Sequence, residues 1–352
     1  MCRPTTSATP PRFAVIGHDE VMRVLRGREA EVINVVRRTY LEHEDGLTTN
    51  PPSSFLRFED RPENRIIALP ASLAGRDGQP GVDGIKWISS VPRNLDRGLP
   101  RASAVAILND PETGYPFACL EAATISAVRT AASAALAATV LTAGRPRPRT
   151  VGIVGAGVIA RAILAHLLGS GWTFERVGVH DLMNARAARL ASDAGCLDAV
   201  TESTVHADAE DAVRSHDLVV LTTAAASPYL TDPALVGHGP VVLNVSLRDL
   251  GPKVVLSSFN VVDDIEHCLR AGTSPHLAEQ QVGHRGFVAG TIGQVLSGSL
   301  TVPERGTVVF SPFGLGVLDL AVARHVHDTL QAQGALRQVD GFFGPDTAEF
   351  RS

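Results

Sequence analysis

Lysine is nearly absent from this chain of 352 residues. Of its 32 basic residues only Lys86 and Lys253 are lysines, so almost every positive charge is an arginine. Lys86 nevertheless stands inside the apolar, β-favouring run "GIKWISS". A lysine ammonium is a compact charge with three movable donors, whereas a guanidinium is larger, planar and permanently charged. Lys86 is therefore a candidate functional residue, the alternative being a strand lysine whose charged end lies in water.

Other scarcities exclude whole classes of protein. The four cysteines are scattered, which predicts a reducing, cytoplasmic location and neither a disulfide framework nor a metal site. A net charge of −5 gives no footprint for nucleic acid or an anionic membrane. No apolar run looks long enough to cross a membrane. The first residues, "MCRPTTSATPPRF", lack the apolar core of a signal peptide and predict a short disordered lead.

The order of sequence patterns predicts two domains. A helical pattern over residues 17–43 precedes the predicted strands "SSFLRF", "NRIIALPA", "GIKWISS" and "ASAVAILND", and an alanine-rich helix covers 123–143. After "GRPRPRT" the pattern changes to alternating apolar strands and helices. This predicts an α/β fold in which residues 144–314 form a Rossmann domain with a doubly wound parallel sheet. Residues 1–143 and 315–352 are predicted to form a second, discontinuous α+β domain.

A glycine-rich loop lies at the first strand–helix junction of the predicted Rossmann domain. "VGIVGAGVIA" contains a GxGxxA pattern that begins at Gly155, with Gly157, Val158 and Ile159 leading into the helix. The first glycine permits a tight turn, and the second lets the backbone approach a pyrophosphate. The N–H groups at the start of the helix then bind phosphate oxygens. These four residues are predicted to bind a dinucleotide, although the same glycines would also suit a simple tight turn.

Two further residues are predicted to contact the cofactor. Asp181 ends the second strand of the predicted Rossmann domain. A carboxylate there suits two ribose hydroxyls and repels a 2′-phosphate, so NAD is favoured over NADP. The alternative is that Asp181 is the N-cap of the helix that follows. Thr222, at the end of "DLVVLTT", is the other predicted cofactor-binding residue.

Four motifs together resemble those of one enzyme family. "GIKWISS", "ISAVRTAASAALAA", "VGIVGAGVIA" and "RDLGPK" occur in this order and are similar to the ornithine cyclodeaminase/μ-crystallin family. That family consists of NAD(P)-linked enzymes that act on amino-acid C–N bonds, and the resemblance extends from about residue 13 to 335.

Longer stretches look like one branch of that family, the N-(2-amino-2-carboxyethyl)-L-glutamate dehydrogenases. They include "NPPSSFLRF", "RIIALPASL" and "FSPFGLGVLDLAVA". The resemblance implies NAD-dependent oxidation of the secondary amine at the glutamate α-carbon. Hydrolysis of the imine then gives 2-oxoglutarate and L-2,3-diaminopropionate, a precursor of siderophores and nonribosomal peptides.

The resemblance also implies roles for individual residues. Lys86 would lie near the substrate carboxylate and the reacting C–N centre, and Arg129 would hold the α-carboxylate through its planar fork. Asp249, in "SLRDLGPK", would transfer the proton, although a turn aspartate is the simpler interpretation of its local sequence. Many family members carry Pro-Pro-Arg where this chain has Pro-Pro-Ser at residues 51–53. Arg57 is the candidate to replace that arginine.

The remaining expectations concern partners and alternatives. The resemblance implies a small amino-acid substrate and a homodimer formed through the non-Rossmann domain, which would also bind substrate. Three alternatives stay open at this point. They are ornithine cyclisation to proline with loss of ammonia, an amino-acid dehydrogenase or ketimine reductase, and a non-enzymatic NAD-binding protein.

Overall fold

The computed structural model describes residues 11–76 and 80–344. The predicted disordered lead, with Cys2, lies largely in residues 1–10, outside the described residues. The strands are β1 (Ala14–Ile16), β2 (Thr48–Thr49), β3 (Ser54–Arg57), β4 (Arg65–Leu73), β5 (Val82–Ser90), β6 (Ala102–Asn109), β7 (Pro116–Glu121), β8 (Thr150–Val154), β9 (Phe174–His180), β10 (Val200–Val205), β11 (Leu218–Leu221), β12 (Val241–Asn244), β13 (Phe259–Val262), β14 (Val288–Thr291) and β15 (Val308–Ser311). The helices are α1 (His18–Leu25), α2 (Glu29–Glu44), α3 (Ala123–Leu141), α4 (Val158–Gly169), α5 (Asn184–Gly195), α6 (Ala209–Arg214), α7 (Pro252–Leu256), α8 (Ile265–Cys268), α9 (Ser274–Val282), α10 (Ile292–Ser297) and α11 (Gly316–Ala332), with 3₁₀ helices at Pro92–Arg97 and Pro233–Val236.

The chain divides into two compact units. The mixed-sheet unit comprises Met1–Arg26, Thr48–Ile125 and Asp319–Ser352, and the parallel-sheet unit comprises Gly27–Leu47 and Ser126–Leu318. Helix α2 and most of α3 belong to the parallel-sheet unit, although both precede the predicted domain boundary at residue 143. One physical reason is that Thr291 Oγ1, at the end of β14, donates to Glu44 Oε2 on α2 at 2.7 Å. A buried hydrogen bond of 2.6 Å between Tyr40 Oη and Ser133 Oγ then joins α2 to α3. The functional roles of the two units stay predictions.

The mixed-sheet unit contains, among the described residues, a seven-stranded sheet. Its order is β1-β7-β6-β5-β4-β2, with β3 paired to β4. The neighbours are antiparallel except β1 and β7, which are parallel. On β5, Gly84 and Lys86 face the same side because side chains alternate along a strand. A Cβ on Gly84 would lie 2.2 Å from the Ile107 carbonyl oxygen and 3.2 Å from Leu320 Cδ2. The glycine therefore allows α11 to pack closely on this face.

The parallel-sheet unit contains an eight-stranded sheet in the part of the chain that is described. Its order is β10-β9-β8-β11-β12-β15-β13-β14, and all of its strand pairs are parallel. β11 and β12 are buried at every position, which is expected when helices cover both faces of a parallel sheet. The strand order reverses next to β8, and ligands of doubly wound sheets bind outside the carboxyl ends of the strands at such a point. The predicted α/β fold with a Rossmann sheet is confirmed.

Two expectations about helices are wrong. The helical pattern over residues 17–43 is not one helix: α1 ends at Leu25 and α2 begins at Glu29. Gly27 between them has a φ of +73°, a conformation that glycine adopts readily and that ends helices.

The second expectation concerns α3, which by length and composition is apolar enough to cross a membrane. The sequence interpretation missed this helix as a candidate membrane span because so many of its residues are alanine. The segment 131–138 is almost completely buried within the protein, as in the core helix of a globular domain.

Candidate active site

The glycine-rich loop joins β8 to the N-terminus of α4. Gly155 has a φ of +92°, and a Cβ there would lie 2.9 Å from the Thr222 carbonyl carbon. Gly157 is the N-cap residue of α4, and a Cβ there would meet no atom within 4 Å. The first glycine is thus required by the turn. The second leaves open space in front of helix N–H groups, where a pyrophosphate can be bound. Val158, the first residue of the helix, is 72% exposed beside this space, and Ile159 follows it.

Thr222 supports this loop from the neighbouring strand. Its backbone N–H donates to the Val154 carbonyl oxygen at 2.9 Å, and its hydroxyl donates to the Gly155 carbonyl oxygen at 2.7 Å. Thr222 is therefore fixed against the turn itself. Whether it also contacts a cofactor stays a prediction.

Asp181 lies directly after β9 and is attached to the same loop. Its Oδ2 accepts from the Ala156 backbone N–H at 2.7 Å, and its Oδ1 accepts from the Met183 N–H at 2.8 Å. The N-cap residue of α5 is Met183 and not Asp181, so the N-cap alternative is not what the structure shows. A carboxylate placed beside the glycine loop and at the end of the second strand suits the ribose of a dinucleotide.

Asp249 lies between β12 and α7 and is completely buried. Thr223 Oγ1 donates to its Oδ1 at 2.6 Å, and Tyr229 Oη donates to its Oδ2 at 3.1 Å. Burial raises the pKa of Asp249, and hydroxyl donors from Thr223, Ser246 and Tyr229 partly oppose the shift. A carboxyl group whose pKa is raised toward neutral pH is better suited to proton transfer. The neighbours Thr222 and Thr223 thus connect the glycine loop with this carboxylate.

Arg129 is 8% exposed and lies on α3. Its guanidinium occupies the space beside Gly314, where an added Cβ would lie 2.8 Å from Nη1. The backbone of that segment is held by the buried Asp263, which accepts from the Phe313 N–H at 2.9 Å and the Gly314 N–H at 2.6 Å. Burial raises the pKa of Asp263. Asp263 therefore orders the segment against which the Arg129 fork rests.

Lys86 is only 2% exposed, so the alternative of a lysine head in water is wrong. Its Nζ donates to Asp319 Oδ2 at 2.6 Å, and Asp319 is 0% exposed. β5 supplies the lysine and the first turns of α11 supply the aspartate. Asp319 was not predicted from the sequence, although an acid inside the apolar run "LGVLDLAVA" is a signal that could have found it, because a buried charge requires a partner.

Arg57 lies at the end of β3 with its side chain exposed. Its guanidinium carbon is 5.1 Å from the centre of the Phe55 ring. In the strand register Arg57 is directly opposite Arg65, so both side chains project from the same face of the sheet. Two positive charges therefore lie on one face of the sheet at the end of β3, four residues after Ser53 in the chain.

The predicted site residues fall into two groups. Lys86 and Arg57 belong to the mixed-sheet unit, whereas the glycine loop, Asp181, Thr222, Arg129 and Asp249 belong to the parallel-sheet unit. Within the described residues no group of three or more histidine, cysteine or acidic side chains is placed to hold a metal ion. Sequence reasoning did not predict Thr223, Tyr229, Asp263 or Asp319, because their positions depend on tertiary contacts.

The model of the ornithine cyclodeaminase/mu-crystallin family matches residues 15–334 of the chain. The protein belongs to this family. The N-((2S)-2-amino-2-carboxyethyl)-L-glutamate dehydrogenase of Staphylococcus aureus is 29% identical over 318 residues, which cover 87% of this chain and 92% of that protein. The predicted resemblance is thereby confirmed.

Two solved structures extend this comparison. The Δ¹-pyrroline-2-carboxylate reductase of Thermococcus litoralis, in complex with NADH and L-proline, is 25% identical with a TM-score of 0.83 and covers 93% of this chain and 100% of its own. An archaeal alanine dehydrogenase dimer with bound NAD is 25% identical with a TM-score of 0.82 and covers 94% and 100%. This member of the ornithine cyclodeaminase/mu-crystallin family is an NAD-dependent oxidoreductase that acts on an amino-acid substrate. Its open glycine loop and Asp181 fit that cofactor.

Proposed function

We propose that the protein oxidises N-(2-amino-2-carboxyethyl)-L-glutamate with NAD and hydrolyses the product to L-2,3-diaminopropionate and 2-oxoglutarate. The observation that carries this proposal is the likeness to the Staphylococcus aureus dehydrogenase of that substrate over nearly the whole length of both chains. The diaminopropionate would be a precursor of a siderophore or nonribosomal peptide. The scattered, unbridged Cys119, Cys196 and Cys268 support a cytoplasmic location for the reaction.

The charge of the candidate substrate supports the proposal. The molecule carries three carboxylates and therefore requires several cations for recognition. Arg129 is assigned to the glutamate α-carboxylate, where its fork can bind both oxygens. Arg57 and Arg65, which are opposite each other on β3 and β4, are assigned to a second carboxylate.

The chemistry follows from the remaining two residues. The glycine loop and Asp181 would hold NAD, which would supply the hydride acceptor for oxidation at the glutamate α-carbon. Asp249 removes the proton of the secondary amine and then orients the water that adds to the imine carbon. Breaking that C–N bond leaves 2-oxoglutarate and diaminopropionate. Lys86, whose Nζ donates to Asp319 Oδ2 at 2.6 Å, binds a substrate carboxylate and keeps the reacting carbon in place.

The test uses purified protein, the candidate substrate and NAD. NADH, 2-oxoglutarate and diaminopropionate should appear in equal amounts, with NADH followed by its absorbance at 340 nm. Formation of proline and ammonia from ornithine, without net NADH and without turnover of the glutamate derivative, would contradict the proposal and leave the family assignment in place.

A second candidate function is alanine dehydrogenase, which the likeness to the archaeal alanine dehydrogenase favours. L-Alanine carries one carboxylate, so this reaction would not need Arg57. Formation of NADH and pyruvate from L-alanine, with an inert glutamate derivative, would establish this alternative. If both substrates react, the ratio of their kcat/KM values decides between them, and Arg57→Ala should raise KM only for the tricarboxylate.

A homodimer is part of the proposal. The face of the mixed sheet opposite α11 carries exposed apolar side chains, including Leu56, Trp87 and Val105 at 47%, 42% and 40% exposure. Trp87 and Val105 are directly opposite each other on β5 and β6, so the patch is contiguous, and such patches mark interaction sites. A second copy of the chain is the proposed occupant, as the similar alanine dehydrogenase is a dimer.

The dimer is tested by placing a charge in this patch. Trp87→Glu should convert the protein to a monomer in sedimentation or light-scattering measurements. Leu99→Glu is the matched control, because Leu99 is also exposed, at 54%, but lies outside the strands. A wild-type monomer, or an unchanged dimer in Trp87→Glu, would contradict this interface.

A further inference from the structure

A tyrosine connects the completely buried carboxylate of Asp249 with the surface of the parallel-sheet unit. Tyr229 is 37% exposed, whereas Asp249 is 0% exposed. Tyr229 Oη nevertheless donates to Asp249 Oδ2 at 3.1 Å, and Thr223 Oγ1 holds the other oxygen at 2.6 Å. Hydroxyl groups hold both oxygens of Asp249, so a proton that the carboxylate has accepted can pass to water through one of them. The hydroxyl donors are those of Thr223, Ser246 and Tyr229, and the tyrosine is the exposed residue among them.

The backbone holds the tyrosine and the aspartate together independently of their side chains. The N–H groups of Tyr229 and Leu230 both donate to the Asp249 carbonyl oxygen, at 3.2 and 3.1 Å. The Gly251 N–H donates to the Leu230 carbonyl oxygen at 2.8 Å, and Leu230 and Leu250 form a parallel bridge. The two segments are thus paired like short strands. The contact between Tyr229 and Asp249 is therefore a built feature of the unit rather than a chance approach of two side chains.

The chemistry of a phenol suits transfer of a proton in this place. A tyrosine hydroxyl both donates and accepts a hydrogen bond. Burial and the charge of Asp249 raise the pKa of Tyr229 above its ordinary value, so the phenol stays neutral at any working pH. It can therefore accept a proton on one side and release one on the other without a net change of charge.

We propose that Tyr229 is a positioning residue that carries protons between Asp249 and water. This inference rests on the proposed role of Asp249 as the proton acceptor of the reaction. The amine proton moves to the Asp249 carboxylate, and the Tyr229 hydroxyl turns its hydrogen from Oδ2 toward a water molecule. Tyr229 Oη then accepts the proton from Asp249 and releases its original proton to that water. No electrons are exchanged, and the pair returns to an ionised carboxylate and a neutral phenol. Tyr229 acts through Asp249.

The test is Tyr229→Phe, with Tyr115→Phe as the matched control. Tyr115 is also exposed, at 46%, but lies in the mixed-sheet unit against Phe343. Turnover of Tyr229→Phe should fall by about 100-fold, a typical contribution of proton transfer. Because the variant loses a donor that stabilises the carboxylate, the acid limb of its kcat/KM profile should move to higher pH. A small base such as imidazole should restore turnover in proportion to its concentration, while wild type and Tyr115→Phe should not respond.

Two results would overturn the proposal. One is wild-type turnover and an unshifted pH profile in Tyr229→Phe. The other is a uniform loss of turnover, with the same pH profile and no response to imidazole, which indicates a purely structural tyrosine. Each variant is compared with the wild type on the substrate that the wild type accepts. Failure of the diaminopropionate reaction therefore neither supports nor contradicts the role proposed for Tyr229.

A measurement that needs no substrate tests the role of Tyr229 even if the wild type accepts none of the candidate substrates. The Asp249 carboxyl can be titrated by ¹³C NMR in protein labelled at aspartate, with Asp249→Asn identifying its signal. Its pKa should rise in Tyr229→Phe, and also in Thr223→Val, which removes the shorter of the two hydrogen bonds. An unchanged titration in both variants would show that these hydroxyls do not control the Asp249 proton. NAD binding by each variant checks that the unit is folded.

Discussion

The ammonium nitrogen of Lys86 lies 2.6 Å from Asp319 Oδ2, and the two side chains are 2% and 0% exposed. This pair explains why a chain with almost only arginines keeps a lysine in β5. The close approach of α11 at Gly84 leaves room for a compact ammonium between sheet and helix. A guanidinium is larger, and its planar fork prefers to bind a carboxylate with two parallel hydrogen bonds.

Lys86→Arg should therefore lose activity although it keeps the charge. Displacement of a binding group by about 1 Å can lower turnover by about 100-fold, and kcat/KM for the accepted amino-acid substrate should fall at least that far. Lys253→Arg is the matched control, because Lys253 is the other lysine of the chain and is exposed on α7. Full activity in Lys86→Arg would contradict the role proposed for the lysine.

Asp319→Asn should destabilise the protein. Removal of one partner of a buried ion pair leaves the other charge uncompensated, which typically costs about 3–5 kcal/mol. The free energy of unfolding from denaturant titration should fall by that amount. Asp340→Asn, at an exposed position of the same unit, should change it by less than about 0.5 kcal/mol. Equal stability of the two variants would mean that the pair contributes nothing to the fold.

Alanine substitutions at the two loop glycines should have separable effects. Gly155→Ala would place an alanine at a φ of +92° with its Cβ 2.9 Å from the Thr222 carbonyl carbon. The variant should be less stable, since the strained backbone alone costs about 1–3 kcal/mol, and it should not bind NAD. Gly157 has a φ of −81° and open space at its Cβ position. Gly157→Ala should therefore keep the wild-type Tm and weaken NAD binding, because the methyl group blocks the pyrophosphate. Calorimetry and NAD titration distinguish the two, and tight NAD binding by Gly157→Ala would place the cofactor elsewhere.

The sequence predicted those parts of the site that depend on local pattern. The turn at Gly155, the position of Asp181 after β9, and β5 with Lys86 all follow from strand and helix periodicity and from turn chemistry. The partners of the charged residues depend on contacts between segments far apart in the chain. Asp319 is 233 residues from Lys86, so no local pattern could join them. The break of the first helix at Gly27 was missed because one glycine inside a periodic pattern is often tolerated in a helix.

Substitution of Asp181 should change the choice between NAD and NADP. Asp181→Asn keeps an acceptor for the Ala156 or Met183 N–H but removes the charge that repels a 2′-phosphate, whereas Asp181→Ala also releases the loop. Both should lower kcat/KM for NAD by about 10-fold or more, since hydrogen bonds to charged groups contribute about 1.5–3 kcal/mol. The preference for NAD should therefore narrow in both variants. A wild-type enzyme with higher kcat/KM for NADP would contradict the assignment of Asp181.

Asp249→Asn should separate turnover from NAD binding and from folding. Turnover should fall by about 100- to 10,000-fold, the range of general acid–base catalysis, while the Kd for NAD stays unchanged. In the proposed reaction the ionised carboxylate of Asp249 is the active form, and burial raises the pKa of Asp249. The activity should therefore decline with falling pH at a value above the ordinary aspartate pKa of about 3.9, and this limb should be absent from the residual activity of the variant.

The same shift predicts the sign of the effect on stability. The pKa of Asp249 is higher in the folded than in the unfolded state. Between these two pKa values the folded state therefore binds more protons, and the free energy of unfolding falls as the pH rises through the folded pKa. Asp249→Asn removes this unfavourable contribution, so at pH 8 its Tm should equal or exceed that of the wild type. An inactive variant with a markedly lower Tm would indicate instead that Asp249 holds the segment 249–251 in place through Thr223 and Tyr229, and its role in proton transfer would then have no support.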